Sequence, residues 1–180
     1  MKTLQKTIAG VALVTLIFSS NLFAQESDNA TVRISLKKAL AITNVGASEV
    51  DFGEVLLTGG VQTPSVDPEN GANFEVTGHP NRTVAVTFGT ASLINDAWNT
   101  AQGGGNNDAM TFTPNVEETS NEPVYGSGSP ATVTSGDSET LVNITGTGTL
   151  YLWVGGSVSI GAAQEHGEYV GTFTMTVAYN

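Results

Sequence analysis

The clearest alternation of apolar and polar positions in this chain lies in its last twelve residues. From Tyr169 to Asn180 the odd positions hold tyrosine, glycine, phenylalanine, methionine, valine and tyrosine, while three of the even positions are threonine. Side chains of a strand alternate between its two faces, so this segment is predicted to be a strand with one apolar face. An uncovered strand edge invites aggregation, and we therefore expect another strand to pair with it.

Shorter runs with strand character recur along the chain and are separated by turn residues. The predicted strands before the last one are residues 31–42, 49–57, 74–77, 83–88, 110–113, 141–144, 150–154 and 157–160. A turn at residues 78–81 is expected to join the third and fourth of these strands. No helix-period run follows residue 24. About eight or nine short strands predict an all-β sandwich, and a closed barrel is the second choice.

The first 24 residues have the pattern of a secretory signal peptide. Lys2 and Lys6 precede an apolar run at residues 8–18, and Ala24 ends a plausible cleavage site. The run is shorter than the about 20 residues that cross a bilayer, so we expect no transmembrane segment. We predict a signal peptide at 1–24, an N-terminal extension or first strand at 25–38, and a sandwich domain at 39–180. The expected route leads through the periplasm to the cell surface or the extracellular space.

Charge and cysteine content exclude several functions. Without Lys2 and Lys6, four of the six basic residues remain against 17 acidic ones, a net charge of −13. So acidic a chain does not bind nucleic acid by neutralising phosphates. The chain has no cysteine, which excludes disulfides and thiolate chemistry.

The candidate catalytic chemistry is sparse. His79 and His166 both lie in turn contexts, and neither has a second histidine at metal-ligand spacing. We therefore predict a non-enzymatic protein without cofactor or metal. Residues 95–139 are expected to be long polar loops around one or two short strands. Calcium binding at Asn95-Asp96 or at residues 106–108 is disfavoured, because the alternating Asp pattern of calcium loops is missing. We expect Trp98 to pack against the sandwich.

Four motifs together resemble an exported bacterial family known as domain of unknown function 4402. They are Val-Asp-Phe-Gly at 50–53, Phe-Glu-Val-Thr-Gly at 74–78, Val-Gly-Gly-Ser-Val at 154–158, and the ending from Gly167 to Tyr179. That family looks like the pilus subunits and adhesins of chaperone–usher fibres. Their subunits share a glycine fourteen residues from the C-terminus and a penultimate tyrosine, the positions of Gly167 and Tyr179. The chain lacks the disulfide that many such subunits carry.

The resemblance implies an immunoglobulin-like (pilin-like) sandwich that lacks one strand. A neighbouring subunit's N-terminal extension would fill the gap by strand addition. The expected inserting residues are Val32, Ile34 and Leu36. The expected receiving or bordering face consists of Gly167, Tyr169, Phe173, Met175, Val177 and Tyr179. The partners would be other copies or other fibre subunits, with a periplasmic chaperone in transit.

A second interpretation of the same residues stays open. Residues 31–42 would then be the domain's own first strand, and the protein would be a self-complete secreted monomer. Such a monomer would bind a glycan or protein ligand through the loops at 95–139. Patterning alone does not separate the two cases, because a donated strand and an internal strand bury the same face.

Overall fold

A computed structural model of the chain describes residues 31, 33–103 and 108–180. Leu36–Asn180 form one compact unit, and the described residues before it, 31 and 33–35, have no regular secondary structure. Within Leu36–Asn180 two antiparallel sheets enclose an apolar core, so the predicted β-sandwich is confirmed. The described residues form eleven strands, more than the eight or nine predicted.

The elements follow one another as β1 (Ala41–Asn44), β2 (Ser65–Val66), β3 (Ala72–Gly78), β4 (Thr83–Phe88), β5 (Ala91–Ile94), α1 (Asp96–Gln102), β6 (Ala109–Glu118), β7 (Ala131–Val133), β8 (Ser138–Thr140), β9 (Val142–Ile144), β10 (Thr147–Val158) and β11 (Met175–Tyr179). Two short 3₁₀ turns lie at Pro68–Asn70 and Tyr125–Ser127.

The larger sheet is built around β10. This strand pairs with β3 on one side and β6 on the other; β1 and β5 lie beyond them, and β2, β7 and β9 are short additions. The smaller sheet has the order β11-β4-β8. The fully buried core side chains come from both sheets, as alternation requires, and include Val76, Val84, Val86, Val116, Leu150, Leu152 and Val154.

Strand β10 continues where the sequence predicted an interruption. Gly155 and Gly156 lie inside the twelve-residue strand rather than in a turn between two strands. A Cβ on Gly155 would overlap the Val66 carbonyl oxygen, and one on Gly156 would overlap that of Thr113. The glycines are thus needed because neighbouring backbone approaches closely, a role that glycine also takes within strands.

Four other predicted elements are corrected. Of the described residues between 31 and 42 only Ala41 and Ile42 are strand, and residues 49–57 form none. The segment at 110–113 belongs to the ten-residue strand β6, and the last strand begins at Met175 instead of Tyr169. In the first and second cases the apolar alternation is present but no neighbouring backbone pairs with the described residues outside β1, and in the fourth case only Val170 of residues 169–174 forms a single bridge, with Ile94. Strand structure needs that pairing as well as the pattern.

Residues 95–139 are more ordered than expected. They contain α1, the whole of β6, β7 and part of β8. Helix α1 has Asn95 as its N-cap, whose side-chain oxygen accepts a hydrogen bond from the Trp98 backbone N–H at 3.1 Å. It ends at Gly103, whose φ of 72° is the left-handed conformation that glycine adopts readily. Trp98 itself is half-buried.

Candidate functional site

Strand β11 lies at the border of the smaller sheet. Within the described residues it pairs with β4 on one side only, from Met175 opposite Phe88 to Tyr179 opposite Val84. Met175, Val177 and Tyr179 are half-buried and pack against the core, whereas Thr176 and Ala178 are exposed. The apolar face predicted from the alternation therefore points inward, and the other edge of β11 keeps its backbone groups available for a further strand.

An open cleft of about 810 Å³ leads into the core beside the segment that precedes this strand. Its two sides are residues 48–57 and residues 164–173, neither of which belongs to a strand. Its apolar floor comes from the larger sheet and the segment after β10: Ala72, Phe74, Ala91, Leu93, Met110, Phe112, Val158 and Ile160. Five of these floor residues are buried, and Phe74, Leu93 and Met110 are half-buried.

Aromatic side chains cross the bottom of this cleft. Phe112 packs edge-to-face against Phe52 with ring centroids 6.1 Å apart, and against Phe173 at 5.9 Å. Phe173 in turn contacts Phe88 at 6.2 Å. Both sides of the cleft are thus held to the core by side chains, in edge-to-face and tilted arrangements.

The backbone along both sides of the cleft takes little part in the sheets. Among the described residues, no backbone–backbone hydrogen bond reaches 48–58 or 171–174, and only Val170 forms a single bridge with Ile94. These segments are exposed enough for water to satisfy their N–H and C=O groups. The cleft therefore combines an apolar floor with backbone donors and acceptors along both rims.

Tyr179 closes the opposite end of the sandwich. Its hydroxyl accepts a hydrogen bond from the His79 backbone N–H at 2.6 Å and donates one to the Lys38 carbonyl at 2.9 Å. The Lys37 ammonium lies 5.1 Å from the centre of the Tyr179 ring. Lys38 Nζ donates to the Gly146 carbonyl at 2.6 Å. The penultimate tyrosine thus fixes the point at which the N-terminal segment leaves the domain.

Gly167 lies at the start of the C-terminal segment and is held by Asn95. The Asn95 side-chain amide donates to the His166 carbonyl at 3.1 Å, and Asn95 is almost completely buried. Gly167 has a φ of 137°, and a Cβ there would overlap the Asn95 amide nitrogen. Glycine is therefore required both by the backbone conformation and by the space. Tyr169 is also anchored nearby, since its hydroxyl donates to the Glu165 carbonyl.

Two of the three predicted inserting residues, Ile34 and Leu36, lie among the described residues and are highly exposed. Ile34 is 81% exposed and Leu36 is 75% exposed, and neither lies in a strand. Val32 lies outside the described residues. The structure therefore does not use residues 33–36 as an internal strand of the sandwich.

The two histidines do not come together. His79 lies in the turn after β3, and His166 precedes Gly167 beside the cleft at the other end of the domain. The described residues contain no group of three His, Cys, Asp or Glu side chains placed to hold a metal ion. No helix in the described part of the chain is long and apolar enough to cross a membrane.

The sequence predicted the C-terminal side of the cleft but not the side formed by residues 48–57.

The model of one protein family, described as "Domain of unknown function (DUF4402)", matches residues 40–179. The chain belongs to this family. No curated protein shows a significant match to the sequence. The DUF4402 match covers every element that forms the cleft, including the Val-Asp-Phe-Gly motif whose Phe52 contacts Phe112.

Proposed function

We propose that this DUF4402 protein is a non-enzymatic, exported structural protein, a pilus-like fibre subunit or an adhesin-like surface component. In this proposal its cleft receives an extended segment of a neighbouring subunit. The segment would lie between residues 48–57 and the C-terminal segment and add a strand beside β11. Strand addition uses backbone hydrogen bonds for affinity and alternate side-chain pockets for register.

The single observation that carries the proposal is an apolar floor that lies between two segments, residues 48–57 and 171–173, without backbone–backbone hydrogen bonds in the described structure. A ligand pocket for a small molecule needs only a few convergent polar groups. This open cleft of about 810 Å³ offers in addition two segments, residues 48–57 and 171–173, whose described backbone forms no backbone–backbone hydrogen bond. An extended peptide with alternating apolar residues can cover the apolar floor and form backbone hydrogen bonds with the two segments.

The chain itself carries such a peptide. Ala30, Val32, Ile34 and Leu36 alternate with Thr31, Arg33 and Ser35 in the sequence. Burying Val32, Ile34 and Leu36 at about 1.5–3 kcal/mol each would contribute roughly 5–9 kcal/mol before the cost of ordering the segment. That gain is large enough for specific association, and it supports the N-terminal segment of another copy as the occupant.

A complementation experiment tests the proposal. A chain beginning at Lys37 keeps the contacts of Lys37 and Lys38 but lacks the extension. We expect this chain to unfold at a lower temperature or to aggregate, and a synthetic peptide of residues 25–36 to restore a stable monomeric complex. The same peptide with Ile34→Asp is the control and should have no effect, whereas Ser35→Asp should act like the unchanged peptide.

The opposite result would favour the self-complete monomer. A chain beginning at residue 25 would then give one sharp monomeric mass at all concentrations, and the peptide would leave the melting temperature of the shortened chain unchanged. In that case a ligand bound by the loops at 95–139 would have to be sought instead.

A further inference from the structure

The positive charges of the domain lie at one end of the sandwich. Leu36–Asn180 contain three basic residues, Lys37, Lys38 and Arg82, against 15 acidic ones. Lys37 and Lys38 are held at Tyr179 and at the start of β10. Arg82 lies in the turn between β3 and β4, where its carbonyl accepts a hydrogen bond from the Leu141 N–H. We call these three residues the basic pole.

The basic pole is not neutralised by the nearest strand. Glu139 of β8 lies opposite Val84, and opposite residues of an antiparallel pair share a face. Because Val84 is completely buried, the Glu139 side chain points between the sheets and away from the pole. Burial, together with the charges of Glu118 and Asp137, raises the pKa of its carboxyl.

Carboxylates surround the cleft at the other end. Residues Glu49, Asp51, Glu165 and Glu168 line the cleft, and Glu54 lies beside Glu168 in the adjoining depression. We call these five residues the acidic mouth. Four of them are exposed and Glu165 is half-buried.

Strand β10 separates the two charged regions. Lys38 of the basic pole contacts Gly146, just before the strand, and Thr147, its first residue, whereas Val158 at its end lines the cleft. Twelve residues of strand at about 3.3 Å each place the regions roughly 35–40 Å apart. This distance is several Debye lengths at physiological ionic strength, so the two regions of one molecule hardly attract each other.

We propose that the basic pole of one copy docks on the acidic mouth of the next copy, so that the partner at the cleft is a second molecule of this chain. This inference rests on the proposed function. The extension leaves the domain at the basic pole, and a segment inserted into the next cleft brings that pole to the mouth. Because the two surfaces are different and lie at opposite ends, the contact is heterologous and repeats along an open, polar filament.

Salt alone is a poor test, because screening weakens the pole-to-mouth attraction and also the repulsion between two acidic domains. A charge swap avoids the problem. The pole variant carries Lys37→Glu and Arg82→Glu, and the mouth variant carries Glu49→Lys, Glu54→Lys and Glu168→Lys. Lys38 stays unchanged because it anchors the segment to Gly146.

In each variant alone, the two docking surfaces carry charges of the same sign. In a mixture, each surface of one variant meets a surface of opposite charge on the other. All proteins begin at residue 25, and association is followed by light scattering and sedimentation. We expect each variant alone to associate about tenfold more weakly than the wild type, and the equimolar mixture to recover to within about threefold. Glu69→Lys with Glu122→Lys is the charge control and should not weaken association. Neither residue belongs to the basic pole or to the acidic mouth.

Two results would overturn the inference: variants that assemble as well as the wild type, or a mixture no better than its components. Ile34→Asp separates this failure from that of the proposed function. If Ile34→Asp abolishes assembly while the charge variants assemble normally, strand addition is supported, and the docking of the basic pole on the acidic mouth is wrong. If Ile34→Asp assembles normally, or the wild type is always monomeric, the proposed function and the inference both fail.

Discussion

Replacement of Ile34 by aspartate tests the proposed strand addition at the more exposed of the two described inserting residues, Ile34 and Leu36. Ile34 is 81% exposed in the single chain, so insertion would remove about four-fifths of its surface from water. Full burial of such a side chain contributes about 1.5–3 kcal/mol, which leaves roughly 1–2.5 kcal/mol to lose. An aspartate in the cleft adds a penalty of about 1–3 kcal/mol for a polar group without a partner.

The two effects together weaken association by about 2–5 kcal/mol. At 1.4 kcal/mol for each factor of ten, the dissociation constant rises between about 30-fold and several thousand-fold. Ser35→Asp adds the same charge one residue later, on the side that would face solvent, and should change the constant little. The assay is sedimentation equilibrium of chains beginning at residue 25. Equal association of the Ile34→Asp and Ser35→Asp chains would refute the reasoning, because face-specific burial is its basis.

Two further changes address the stability of the domain. Tyr179→Phe removes the hydroxyl that accepts from the His79 N–H and donates to the Lys38 carbonyl, so we expect a loss of about 1–3 kcal/mol in the free energy of unfolding in urea. Gly71→Ala places a Cβ against the Val154 carbonyl oxygen of β10, and we expect a loss of more than about 3 kcal/mol or failure to fold, measured by thermal unfolding.

Each of these changes has a control in the same chain. Tyr151→Phe removes a hydroxyl whose hydrogen bond to Glu75 lies on the other face of the larger sheet, and it should leave the Lys38 contact intact. Gly126 has no heavy atom within 4 Å of the place where a Cβ would lie, so Gly126→Ala should be tolerated. Tyr179→Phe and Tyr151→Phe are compared in chains with and without residues 25–36. If both changes lowered the free energy of unfolding equally in the two chains, the role of Tyr179 in holding Lys38 would be contradicted.

The sequence predicted those parts of the fold in which pattern and pairing agree. Residues 83–88 form β4 with the predicted bounds, and Val84 and Val86 are buried as the alternation requires. Helix α1 was missed because its seven residues are too few for a periodic pattern, although its signals were present. Asn95 before Asp96, and Gly103 after Gln102, are an N-cap and a C-terminal glycine.

The candidate site was predicted on one side only. The alternation of Phe173, Met175, Val177 and Tyr179 was visible in the sequence, and these residues do pack on the core. The other side of the cleft could not be predicted, since Val50 and Phe52 have the same alternation as any half-buried strand. Their position beside an open cleft depends on which backbone pairs with them, and this information is not local in the sequence.

Three described segments have the sequence pattern of strands but, apart from the single bridge between Val170 and Ile94, find no backbone partner in the single molecule: residues 33–40, 49–57 and 169–174. Local patterns that disagree with the observed structure are expected at functional sites. The second and third segments form the two sides of the cleft, and the first carries the exposed Ile34 and Leu36. A strand from one copy placed between the two sides of the next would give all three segments partners. The errors at residues 31–42, 49–57 and 169–174 therefore fall on segments that the proposed assembly would turn into strands.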